Sequence, residues 1–131
     1  MASIAPTLTR VPASEAAQAF AKLADMDPTG QQTPQGAARA GECFRIEGTR
    51  GLARCAVSFR DSTAWIHAAV GEGEGMTADA LSIIEAQALV QGCRRVGFQT
   101  IRRGLVRRAL RLGYRITSNV GTGFVLVKQI P

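Results

Sequence analysis

Between residues 63 and 130 the apolar residues and glycines follow an order that few folds can accommodate. Residues 64–70 (AWIHAAV) read as an apolar strand that runs into the glycine-rich turn Gly71-Glu72-Gly73-Glu74-Gly75. Helical periodicity over 78–91 follows, then a strand over 95–100, a basic amphipathic helix over 102–112 and a strand pair, 114–120 and 123–129, around Gly121-Thr122. A strand that reaches the next strand through a helix runs parallel to it by a right-handed crossover. Glycines between a strand and a helix bring backbone N–H groups and the positive end of the helix dipole towards an anion, most often a phosphate.

The first half supplies further strands. Residues 4–11 predict a short strand with Pro6 near its edge. Ala16, Phe20, Leu23 and Ala24 predict a helix over 13–26 that Pro28 stops. The Gly/Gln/Ala-rich stretch 29–41 has no apolar period and reads as a mobile loop. Strands over 43–48 and 52–60, joined by Gly48-Thr49-Arg50-Gly51, and a turn at Asp61-Ser62 make an antiparallel meander. In the helix over 78–91 Thr77 is the expected N-cap and Gly92 the stop. Leu81, Ile84, Ala88 and Leu89 form one apolar face and Ile83 and Val90 another, which predicts protein on both sides. The last helix places Ile101, Leu105, Ala109 and Leu112 on one stripe and Arg103, Arg107 and Arg111 opposite. The fold class is α/β: residues 1–131 as a single domain with a mixed, mostly antiparallel sheet of about seven strands and helices on both faces.

Composition limits the function classes. No apolar run approaches the ~18 residues of a membrane helix, and the start MASIAPT has neither region of a signal peptide. A cytoplasmic protein, or one within a viral particle, is expected rather than a secreted one. Cys43, Cys55 and Cys93 are odd in number and widely spaced, so they read as reduced, buried thiols. With the lone His67 they make no metal site. Residues 1–93 carry seven Lys/Arg against ten Asp/Glu, whereas 94–131 carry nine Lys/Arg and no acid. The basic character thus belongs to the C-terminal third.

The layout resembles the GNAT superfamily of acetyl-CoA-dependent N-acetyltransferases, most closely over 64–114, where Leu112-Gly113-Tyr114 stands for the usual Leu-Gly-Phe. The resemblance implies acetyl-CoA as cofactor and a small-molecule or protein amine as acceptor. The family's phosphate loop, Gln/Arg-x-x-Gly-x-Gly/Ala, falls on Val70-Gly71-Glu72-Gly73-Glu74-Gly75. It keeps Gly73 and Gly75, puts Val70 in the leading position, and adds two acids that each oppose a pyrophosphate by about 1 kcal/mol near contact. Gly71 and Thr77 complete the implied cofactor set. The family's asparagine position in the last helix holds Arg102, which can pair with a phosphate, and the tyrosine that protonates the departing thiolate is replaced by Ala109.

A base must take the proton of the acceptor ammonium. The candidates are His67, mid-strand and expected on the face of Trp65 and Ala69, and Glu47 near the end of the second strand. A second function class stays open. The acid-free arginines Arg103, Arg107 and Arg111 suit an acidic protein or nucleic acid. A non-catalytic GNAT-fold structural or interaction protein, for example a phage virion component in assembly with other proteins, would use that face.

Overall fold

A computed structural model describes residues 7–21, 33–73, 75–121 and 123–131. In chain order the elements are β1 (Thr7–Arg10), α1 (Ala13–Phe20), α2 (Pro34–Arg39), β2 (Glu42–Glu47), β3 (Leu52–Arg60), β4 (Thr63–Glu72), α3 (Met76–Val90), β5 (Arg95–Thr100), α4 (Arg103–Arg111), β6 (Arg115–Val120) and β7 (Gly123–Gln129). The seven strands form one sheet in the order β1-β2-β3-β4-β5-β7-β6. Only β4 and β5 are parallel, as a connection through α3 requires. The α/β fold class, with its mixed sheet, is as the sequence implies. No helix among the described residues is long and apolar enough to cross a membrane.

Local chemistry explains most boundaries. The β3–β4 turn places Asp61 and Ser62 at φ 53° and 63°, the left-handed pair that a two-residue hairpin matched to strand twist demands. α3 and α4 end alike. Cys93 N–H bonds Ala88 C=O at 2.8 Å and Gly92 N–H bonds Leu89 C=O at 3.0 Å; Tyr114 N–H bonds Ala109 C=O at 3.0 Å and Gly113 N–H bonds Leu110 C=O at 3.2 Å. Both are Schellman closures, with Gly92 and Gly113 at positive φ.

Two apolar clusters sandwich the sheet. One joins Phe44, Ile46, Val57, Ile66, Val96, Phe98 and Leu126 to α3 and α4 through Leu81, Ile84, Ala88, Val106 and Ala109. The other is small-residue packing of α1 and α2 on β2 and β3, through Ala16, Phe20, Ala37, Ala38, Cys43 and Ala56. Glu15 of α1 anchors that second layer, accepting from Arg54 Nε at 2.9 Å with Arg45 Nη1 at 3.6 Å.

Four expectations need correction. The 29–41 loop contains α2, which begins with Thr33 accepting the Gly36 N–H at 2.9 Å and Pro34 in the first turn. Its buried face is alanine, too weakly apolar to show as a period; residues 29–32 lie outside the described residues. β4 runs to Glu72, so Gly71 and Glu72 belong to the strand rather than the turn. The N-cap of α3 is Gly75, at φ 74°, and Thr77 lies inside the first turn. Leu89 and Val90 are 44% and 79% exposed, so α3 is not covered on both sides. The expected starts of the first strand (4–6) and end of the first helix (22–26), together with Glu74 and Thr122, also fall outside the described residues.

Candidate active site

The centre of the sheet opens. β4 and β5 pair only from Thr63↔Arg95 to Ile66↔Phe98, although β4 continues to Glu72 and β5 to Thr100. Beyond that point the two strands part, and the β4 edge that faces β5 has no strand partner among the described residues. Such an edge holds a row of N–H and C=O groups ready for an extended ligand.

The parting coincides with a register shift on the other side of β4. Val57 pairs with Ile66 and Ala56 with Ala68, so His67 stands opposite no β3 residue. An extra residue bends a strand and re-aims the side chains after it. Ala64 and Ile66 pack towards α3, while Ala68 and Val70 pack towards α1 and α2. His67 therefore does not share a face with Ala69, as strict alternation predicts. Ala69 pairs with Cys55 of the α3 layer, whereas His67 reaches Ser58, which pairs with Trp65.

The resulting cleft has a volume of about 740 Å³. Its walls come from β4 (Trp65 to Gly71), the start of α3 (Met76, Thr77, Ala80), the end of β5 with Ile101 and Arg102, and Phe20, Pro34 and Ala37 of the α1/α2 layer. Trp65 lies across Gly97 of β5. A β-carbon on Gly97 would sit 2.9 Å from the indole, so glycine is what admits the ring there. A second cavity of about 420 Å³ lies between the α3 N-terminus and α4, lined by Gly73, Gly75, Thr77, Ala78, Arg108 and Arg111. Arg108 lines both.

His67 is half-buried, with Nε2 2.9 Å from Ser58 Oγ. Burial, and then the charge of Arg60, push its pKa below the usual 6.5, so the ring is neutral at pH 7. Burial raises the pKa of all three thiols, that of Cys55 to about 12, and they are inert rather than nucleophilic. No cluster of His, Cys, Asp or Glu among the described residues could hold a metal.

No protein-family model and no curated protein matches the chain. Solved structures do match, over nearly the whole length. Ard1 from Thermoplasma volcanium aligns with a TM-score of 0.64 at 11% identity, covering 98% of this chain and 99% of that one. A GNAT-family acetyltransferase of Listeria monocytogenes gives 0.65 at 9% identity over 95% of each chain. One from Streptococcus pneumoniae gives 0.59 at 13% identity, over 96% of this chain and 99% of that one.

The chain has the GNAT fold.

On that fold the sequence-derived residues separate into groups. His67, Val70, Gly71, Gly73, Thr77 and Arg102 all line the main cleft, and Gly73, Gly75 and Thr77 the second cavity. Val70, in the leading position of the phosphate signature, packs its side chain against the α1/α2 cluster. Gly73 has a structural duty as well: its φ is 113°, and a β-carbon would lie 2.4 Å from Arg50 O. Glu47 is not among the cleft-lining residues; it ends β2 beside Arg45, whose Nε is 3.3 Å from its Oε1. Arg102 lines the main cleft but not the cavity at the α3 N-terminus. The three arginines read as one partner face divide, because Arg111 lines that cavity whereas Arg103 and Arg107 line neither.

Sequence reasoning missed Arg108. The signal was present: Gly104, Arg108 and Arg111 share one side of the α4 wheel at spacings of four and three.

Proposed function

We propose that the chain is an acetyl-CoA-dependent N-acetyltransferase acting on an amine. The observation that carries this is the parting of β4 and β5 beside a half-buried, neutral histidine, with a glycine-lined cavity at its other end and two arginines there that have no partner among the described residues. The non-catalytic alternative has no comparable support: the Listeria and Streptococcus structures described above are acetyltransferases by their own descriptions.

The residues present fit the cofactor. Gly73 and Gly75 add no side chain of their own to the backbone approach to the α3 N-terminus, and Arg108 and Arg111, which have no acidic partner among the described residues, would hold phosphate groups against the opposing charge of Glu72. The free edge of β4 would hold the extended arm. Acetyl-CoA, when bound, supplies a thioester whose acyl carbon the amine nitrogen attacks with loss of the thiolate.

His67 takes the ammonium proton. In the tautomer whose Nε2–H donates to Ser58 Oγ, Nδ1 carries the lone pair that accepts the ammonium proton. Ala109, at the position of the family's acid, is fully buried in the α4 core, so solvent protonates the thiolate. Trp65 and Phe20 give the cleft apolar wall.

Calorimetric titration with CoA and acetyl-CoA tests the proposal. Micromolar binding, weakened at least tenfold by R108E with R111E, is expected; no binding up to about 1 mM refutes it.

A further inference from the structure

The main cleft has an unusual charge balance, and this inference rests on the acetyltransferase reading above. Among the described residues that line the cleft there is no aspartate or glutamate, whereas Arg102 lines it, in addition to the Arg108 assigned above to phosphate. Arg102 is held at the start of α4, its N–H bonded to Thr100 Oγ1 at 3.1 Å. Its guanidinium has no hydrogen-bonded or ion-paired partner among the described residues. The charge of Arg60 also acts at His67, so the base itself sits in a positive field.

A polyamine or other polycation would bring at least one ammonium that no carboxylate among the described lining residues compensates, and binding would desolvate it against like charge. A zwitterion meets no such penalty. Its amine can approach His67 while its carboxylate pairs with the planar, multidonor guanidinium of Arg102. Phe20, Trp65 and Ile101 add apolar wall beside the uncharged polar Thr33, Gln99 and Thr100, which suits an uncharged side chain. We propose that the acceptor is a free α-amino acid with an apolar side chain, bound by its carboxylate at Arg102, and not a polyamine.

Trp65 is the only tryptophan of the chain and lines this cleft, so its emission reports the site directly. The protein, with and without saturating CoA, is titrated with L-methionine, L-leucine and L-valine, with their C-terminal amides, and with spermidine, read by Trp65 emission and calorimetry. At least one acid is expected to bind tenfold or more tightly than its amide. R102Q should erase that preference, and R103Q, changed at a residue outside the cleft, should keep it; matched thermal unfolding verifies that both variants fold. Spermidine binding tighter than every acid, equal binding of acid and amide, or no acid binding up to about 10 mM overturns the assignment. Each of those results alongside tight CoA binding leaves the acetyltransferase reading standing, whereas failure of CoA to bind removes that reading by itself.

Discussion

Replacing Tyr114 with phenylalanine deletes one oxygen from a buried network whose strength can be worked out. Tyr114 is 2% exposed. Its hydroxyl donates to Glu85 Oε2 at 3.0 Å, and Lys128 Nζ holds the other carboxylate oxygen at 2.9 Å. Its ring packs on Phe98, with centroids 5.4 Å apart, and phenylalanine preserves that contact. A hydrogen bond to a charged group contributes about 1.5–3 kcal/mol. Glu85 keeps Lys128 and some solvent access, so the net loss at pH 7 should be about 1–2 kcal/mol, a fall in Tm of about 3–8 °C.

The pH dependence is more discriminating. Burial, and then the charge and hydrogen bond of Glu85, push the Tyr114 pKa above its ordinary 10.0. A raised folded-state pKa contributes stability that is complete below the unfolded value and is lost as pH rises. Wild type should therefore shed about 1.4 kcal/mol per pH unit above pH 10 on account of this group, and Y114F should not. Cys55, held up to about 12, adds an alkaline loss of its own, but it does so in both proteins and cancels. Chemical denaturation from pH 7 to 11 should show the gap between the two proteins closing by about pH 11. Equal stability at pH 7, or a gap that stays constant through pH 11, would refute the network's role.

Two glycines of the β4–α3 turn should separate by stability. G73A forces a β-carbon to within 2.4 Å of Arg50 O at φ 113° and should cost more than about 2 kcal/mol; G75A, with nothing within 4 Å at φ 74°, should cost about 1 kcal/mol. Urea denaturation decides, and equal costs would contradict the packing of Gly73 on the β2–β3 turn. Because His67 has a lowered pKa, the acid limb of kcat/KM should fall below pH 6.5, with activity flat above it. A limb centred above pH 6.5 would exclude His67 in this environment as the base.

Elements set by local interactions were legible in the chain. The β5 and β7 boundaries, both glycine-terminated helices and the 48–51 and 61–62 turns follow from periodicity and from the few residues that tolerate unusual φ, because both signals act over three or four neighbours. α2 was not legible, since its buried face is Ala37 and Ala38 and its stability comes from α1 and the sheet. Nor was the exposure of Leu89 and Val90. Apolarity tells what a side chain prefers, and the neighbouring layers decide whether that preference is met.

The candidate site divides in the same way. Glycines near a helix start and a histidine in an apolar strand could be named from residue types and spacing alone. That His67 occupies an unpaired position, that β4 and β5 separate after Ile66 and Phe98, and that Arg108 rather than Arg102 lies beside the α3 N-terminus depend on pairing between segments tens of residues apart. A one-residue shift in a strand reverses every side chain beyond it, and nothing in the local sequence announces where such a shift will fall. Sequence by itself determined the order and type of the elements, because those are local energies. Tertiary structure alone decided which side chains meet in the cleft, because that is set by register, and register is a property of the whole sheet.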